Sequence, residues 1–133
     1  MRYESPLAPT APPRDFYVVA INRTAIEAEW DLPPFDFRGG FILGYKLFIQ
    51  STNGGAERTI DITDNSTVYV VEGLQPATEY RLSVLAYTSV GDGPRSIHLT
   101  LSTLSKNHGS FVYTILCTGI NYLHFFHPNM NSV

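Results

Sequence analysis

The stretch Leu74-Gln75-Pro76-Ala77-Thr78-Glu79-Tyr80 constrains the fold of this chain more than any other. It sets an apolar anchor, a proline turn and a tyrosine at the head of the segment Thr78 to Thr88. There Tyr80, Leu82, Val84 and Ala86 alternate with Arg81, Ser83, Leu85 and Tyr87, the period of two of a half-buried strand. The pattern reads as a tyrosine corner, in which a ring buried at a sheet-to-sheet crossover returns its hydroxyl to backbone a few residues upstream. The phenol needs that partner, because an unpaired hydroxyl in an apolar site costs on the order of 1–3 kcal/mol. A corner of this kind implies two sheets for the chain to cross between.

The remaining segments supply them. Pro13 opens a strand over Arg14 to Ile21, at a position where a missing N–H is tolerated. Thr24 to Trp30 alternates Ile26, Ala28 and Trp30 against Ala25, Glu27 and Glu29, with the acids toward water. Asp31-Leu32-Pro33-Pro34 stops it, and a long loop runs through Phe35, Asp36, Phe37, Arg38, Gly39 and Gly40. Ile42 to Gln50 is a third strand, with Tyr45, Leu47 and Ile49 on one face and Lys46, Phe48 and Gln50 on the other. Asn53-Gly54-Gly55 turns the chain into Glu57 to Ile62, and Asp64-Asn65-Ser66 turns it into Thr67 to Glu72, with Tyr69 and Val71 inward. After the corner strand, Val90-Gly91-Asp92-Gly93-Pro94 leads to a closing strand, Ser96 to Thr103. Seven short strands without a helical period predict an all-β fold, a seven-stranded antiparallel two-sheet sandwich of about 90 residues with immunoglobulin-like architecture. The length suits one domain rather than two.

Several of these residues together resemble the fibronectin type III family: Trp30 in the second strand, Ile42-Leu43-Gly44-Tyr45 in the third, Leu74-x-Pro76-x-Thr78-x-Tyr80 before the sixth, and Ala86 followed by Gly91-x-Gly93-x-x-Ser96. The resemblance covers residues 13–104. An immunoglobulin domain proper would carry two cysteines bracketing the tryptophan, and this chain has one cysteine, Cys117. Thr88 stands where the family often has asparagine, and the loop after Trp30 is one residue longer than the commonest form. The loop that carries Arg-Gly-Asp in integrin-binding members reads Val90-Gly91-Asp92 here, so no integrin binding through Arg-Gly-Asp is expected, valine being unable to supply the cation.

Around this domain lie two different flanks. Residues 1–12 hold Pro6, Pro9 and Pro12 among small residues and read as a Pro-rich interdomain linker. Residues 105–133 lack Asp, Glu, Lys and Arg after Lys106 and form an uncharged apolar tail, read as irregular or as a non-native C-terminus. The apolar window Phe111 to Phe126 is shorter than the roughly 20 residues that cross a bilayer, and no basic cluster follows it. The first residues carry no apolar run of the signal-peptide kind, so an extracellular reading requires a longer parent protein, itself open to membrane anchoring.

Catalytic, cofactor and metal readings find no support in the pattern. Of four histidines only His98 falls inside the sandwich; Cys117 with His124 or His127 would sit on a segment with no scaffold, and His124-x-x-His127 lacks acidic partners. Asp61, Asp64 and Asp92 lack calcium-loop spacing. The net charge is −3 and the nine Lys and Arg are scattered, which argues against nucleic acid. Trp30, Tyr45, Leu74 and Tyr80 fall on inward registers and read as structural core. Outward Phe48, Leu85 and Tyr87 lie on strands that are neighbours in this topology and form a candidate partner face. Asn22-Arg23-Thr24 and Asn65-Ser66-Thr67 make Asn22 and Asn65 candidate glycosylation sites, both at turns. The expected function is a non-enzymatic protein–protein interaction, adhesion or spacer module of a secreted or cell-surface receptor or matrix protein, with protein partners and neighbouring tandem domains, and no cofactor. The alternatives are an intracellular structural module of the same family and a cytokine-receptor-like ligand-binding module, the latter lacking its cysteine pairs and Trp-Ser-x-Trp-Ser box.

Overall fold

A computed structural model describes residues 5–105 in full and the backbone of two further strands, Phe111–Cys117 and Ile120–Phe126. Strands β1 (Arg14–Asn22), β2 (Ala25–Asp31) and β5 (Val68–Val71) form an antiparallel sheet in the order β1-β2-β5. Strands β3 (Gly44–Ser51), β4 (Arg58–Ile62), β6 (Glu79–Tyr87) and β7 (Leu99–Ser102) form the second sheet, in the order β4-β3-β6-β7. These are the seven strands and two sheets expected from the period-two segments.

The register shows why the alternation builds a sandwich. Between β3 and β6 the pairs Tyr45↔Ala86, Leu47↔Val84 and Ile49↔Leu82 fall on the inner face, and all six side chains are buried. Lys46↔Leu85, Phe48↔Ser83 and Gln50↔Arg81 fall between them on the outer face. From the opposite sheet, Val18, Ile26, Ala28, Trp30 and Val71 complete one continuous core. At its centre the Trp30 ring meets Tyr45 with centroids 5.3 Å apart at 60°, and Phe16 at 6.5 Å and 56°, tilted contacts that suit the ring quadrupoles.

The corner ties the two sheets together. Tyr80 is buried, and its hydroxyl accepts a hydrogen bond from the backbone N–H of Gln75 at 2.8 Å. Leu74 is buried as well, and its N–H donates to the carbonyl of Thr24, in the β1–β2 turn, at 2.9 Å. Thr103 completes the arrangement from beyond β7: its hydroxyl accepts from the Thr78 N–H and donates to the Gln75 carbonyl. Ala77, with φ of 49°, takes the left-handed conformation that lets the turn close. Tyr80→Phe keeps the ring and removes the acceptor, and is expected to cost about 1–2 kcal/mol in urea unfolding, one hydrogen bond with its donor left inside. An unchanged unfolding midpoint would show that the phenol does not hold the corner.

Three sequence expectations meet a different structure. The closing strand, expected over Ser96 to Thr103, is regular only over Leu99–Ser102. Pro94 has no N–H to offer, and Ser96 pairs with Val84 partly through its side chain, its Oγ accepting from the Val84 N–H at 3.0 Å while its own N–H donates to the Val84 carbonyl at 2.7 Å. The linker expected over residues 1–12 is docked from Leu7 onward: the N–H groups of Leu7 and Thr10 donate to the carbonyls of Gly39 and Phe37 at 2.8 and 2.9 Å. Gly39 permits this on two counts, its φ of 78° and a Cβ that would stand 2.5 Å from the Leu7 carbonyl oxygen. The tail, expected to be irregular, contains an antiparallel pair over β8 (Phe111–Cys117) and β9 (Ile120–Phe126), in register from Phe111↔Phe126 to Cys117↔Ile120. The β-branched and aromatic residues that fill both segments favour a pleated backbone.

Candidate functional site

The outer face of the β4-β3-β6-β7 sheet carries Phe48, Leu85 and Tyr87, as the alternation requires. Their exposure corrects the sequence expectation. Phe48 is only 6% exposed and Leu85 5%, while Tyr87 is half-buried. Polar side chains of this sheet and of its connecting loops cover the apolar surface. The Arg95 guanidinium lies 3.5 Å from the centroid of the Phe48 ring, and it is held there by Glu57, whose two oxygens accept from Nη1 and Nη2 at 2.9 and 3.1 Å. The Lys46 ammonium sits 5.6 Å from the Tyr87 centroid and pairs with Asp92 at 3.0 Å. The Tyr87 hydroxyl donates to Asp61, also at 3.0 Å. Cation–π contact plus pairing turns an apolar patch into a charged one. Arg95 and Glu57 were not singled out by sequence reasoning: the two residues are far apart in the chain and meet only across the sheet.

The two most exposed large apolar groups among the described residues lie instead in the loop between β2 and β3. Phe35 is 78% and Phe41 90% exposed, and Phe37 and Leu43 stand half out of the surface. A short 3-10 turn over Phe35–Phe37, following Pro33-Pro34, lifts these rings. Arg38 steadies them, its guanidinium 5.3 Å from the Phe35 centroid and its Nε donating to the Pro33 carbonyl at 2.8 Å. Behind them is an open groove of about 500 Å³ whose walls include Leu32, Phe35, Arg38, Phe41 and Tyr45, and which exposed Asn65 also lines. The sequence marks this loop as a connection; the signal of something more is its three separate phenylalanines, Phe35, Phe37 and Phe41, among Pro and Gly.

Asn65 itself is exposed, in a turn where the Asp64 carboxylate accepts from the Ser66 N–H at 2.9 Å. That bond holds the Asp64 carboxyl below its ordinary pKa. Asn22 is half-buried at the end of β1, and its Oδ1 accepts from the N–H of Thr24 at 2.8 Å and from the Thr24 hydroxyl at 3.3 Å.

Titration in the sandwich is dominated by tyrosines. Tyr17 is pushed up to about 12, first by donating its hydroxyl hydrogen bond to Glu29, then by burial. Burial raises Tyr45, with the Arg38 charge pulling the other way, and burial followed by the Asp61 hydrogen bond raises Tyr87. These shifts keep the three phenols neutral. Among the described residues no group of three or more His, Cys, Asp or Glu side chains gathers, and no helix is long and apolar enough to cross a membrane. The Cys117, His124 and His127 side chains lie outside the described residues.

Comparison with known proteins decides the family. The model of the fibronectin type III domain matches residues 11–102. The chain belongs to the fibronectin type III family. Among curated relatives it is 40% identical over 95 residues to tyrosine-protein phosphatase Lar of Drosophila melanogaster, which covers 71% of this chain and 5% of that protein. It is 38% identical over 106 residues to protein sidekick-1 of Gallus gallus, covering 77% of this chain and again 5% of the relative. The chain thus spans about one-twentieth of the length of these relatives. Among solved structures, the FN5 domain of Drosophila Lar superposes with a TM-score of 0.60 at 30% identity, over 72% of this chain and 97% of that one. Chicken CNTN1 FN1-FN3 gives a TM-score of 0.66 at 24% identity, over 73% of this chain and 33% of that one, a likeness of fold.

The fibronectin type III domain is a non-catalytic module. One of its family departures has a structural account. Thr88, in place of the usual asparagine, is buried, donates its hydroxyl to the Leu7 carbonyl at 2.7 Å and accepts from the Val90 N–H at 3.2 Å, so it helps to hold the incoming chain. In the Val90-Gly91-Asp92 loop, Asp92 is already paired with Lys46.

Proposed function

We propose that this fibronectin type III domain is a protein-binding and spacer module of a larger cell-surface receptor or adhesion protein, set between tandem neighbours. The observation that carries the reading is its 40% identity to a segment making up 5% of phosphatase Lar, a short domain taken from a much longer chain. The docked entrance supports the spacer role. With Leu7 and Thr10 bonded to the β2–β3 loop and Leu7 also to Thr88, a preceding domain would be held at a set angle rather than on a loose tether. The charged outer face supports the binding role. Arg95, Glu57, Lys46 and Asp92 form a rim-like polar surface over apolar bodies, of the kind that governs association rate and partner choice more than raw affinity.

The test displays the full chain on cells and screens it against soluble ectodomains at two salt concentrations. A binder whose association slows in high salt and weakens in the Lys46→Glu/Arg95→Glu double variant, whose folding is checked by a cooperative thermal transition of its own, is the expected result. Absence of any binder, with folded display verified, removes the binding half and leaves the spacer.

A further inference from the structure

We propose that Asn65 carries an N-linked glycan whose first N-acetylglucosamine packs into the groove between the β2–β3 loop and the β4–β5 turn, over the rings of Phe41 and Phe35. The inference rests on the cell-surface reading, because the modification belongs to the secretory pathway. It deepens that reading by giving the aromatic loop an occupant that is part of the same molecule.

Asn65-Ser66-Thr67 is an acceptor triplet, and Asn65 is exposed on the rim of the groove that the two rings line. Phe41 at 90% and Phe35 at 78% exposure are the most exposed large apolar side chains of the domain, and both belong to this one groove. Isolated exposed apolar residues need no explanation, but two rings set around one concavity do. A sugar suits them. The C–H groups on one face of a pyranose are weakly positive and apolar, and match the negative face of an aromatic ring, while the hydroxyls on the rim remain in water. Arg38 adds polar recognition: its Nε is committed to the Pro33 carbonyl, and its Nη groups are donors of the kind that an N-acetyl carbonyl accepts. Since the sugar is tethered at the rim, little translational freedom is lost on packing, so weak contacts suffice. Asn22 differs on each point, being half-buried, bonded through Oδ1 to Thr24 and absent from the walls of this groove.

The covalent step is an ordinary transfer. The Asn65 Nδ2 bonds to the anomeric carbon of a lipid-diphosphate-linked oligosaccharide, the carbon–oxygen bond to the diphosphate breaks, the diphosphate leaves with the electron pair, and one amide proton is lost to base. No oxidation or reduction is involved.

The full chain is secreted from a eukaryotic host behind a heterologous leader. Its peptides are weighed and its thermal midpoint measured in three states: untreated, trimmed by an endoglycosidase to a single N-acetylglucosamine, and stripped by an amidase. The Asn65 peptide is expected to carry a glycan mass that Asn65→Gln lacks. Trimming is expected to leave the midpoint unchanged, and stripping to lower it by roughly 2–4 °C. The amidase turns the glycosylated asparagine into an aspartate beside Asp64, so Asn65→Gln, which adds no charge, is the reference for loss of the sugar alone and is expected to show a midpoint lowered by the same roughly 2–4 °C, about what a few tenths of a kcal/mol gives. In Phe41→Ser, a change at an exposed position, the difference between trimmed and stripped forms is expected to vanish. An unmodified Asn65 in folded, secreted protein overturns the proposal, as do equal midpoints with and without the sugar, or an undiminished difference in Phe41→Ser. Each of those results leaves the partner screen free to succeed, and failure of that screen leaves the mass and midpoint readings intact.

Discussion

Replacing Trp30 with alanine is expected to remove about 3–5 kcal/mol, a large part of the 5–15 kcal/mol that a domain of this size commands. The indole is 5% exposed and stands between the rings of Tyr45 and Phe16, so its loss strips both of tilted contacts as well as leaving a void. The site cannot collapse easily. Trp30 is near the end of β2, where its neighbours Glu29 and Asp31 pair with β1 and its own N–H donates to the Thr67 carbonyl at 3.0 Å, and Tyr45 is fixed in turn by Ala86 and Ile62. Urea unfolding followed by far-UV circular dichroism measures the change. A shift below about 1 kcal/mol would show that the ring is not the centre of the core, since losing a buried large side chain costs more than that wherever the site is rigid.

Gly44→Ala should produce the next largest effect, about 3 kcal/mol, at the upper end of what overpacking usually costs. A Cβ at this buried position would meet the Ile62 carbonyl oxygen and stand 2.6 Å from the Tyr87 hydroxyl oxygen. Tyr87 is half-buried and can swing aside at the loss of its bond to Asp61; the Ile62 carbonyl belongs to the β3–β4 ladder and cannot move without opening the Tyr45↔Ile62 pair. The Tyr87 ring lies directly across from Gly44 and shields a strand position that lacks a side chain of its own. Thermal unfolding of Gly44→Ala alone and with Tyr87→Ala separates the two obstacles. The second change should recover only a minor share; full recovery would place the strain on the phenol and not on the ladder.

The contrast between Phe48 and Phe41 shows how far a one-dimensional reading reaches. Both stand among residues whose register or loop position points outward. Phe48 is nonetheless covered, because Arg95 arrives from the β6–β7 connection and Glu57 from the residue before β4 to clamp it. Phe41 remains open at 90% exposure, and the nearby guanidinium of Arg38 is engaged instead with Phe35 and the Pro33 carbonyl. Alternation tells which face a side chain takes, and it carries no information about what lies above that face.

The sequence by itself determined the seven strands, the inward set from Trp30 to Tyr80, and the tyrosine corner, because each follows from local period, turn chemistry and the need of a buried phenol for a partner. Only the tertiary structure decided the rest: Thr103 as the second clamp of the corner, Leu7 docked against Gly39 and Thr88, the guanidinium over Phe48, and Asn65 facing an aromatic groove. All of these join residues distant in the chain. Such contacts are set by how two sheets and their loops meet in space, and the spacing of residues along one strand does not encode that meeting.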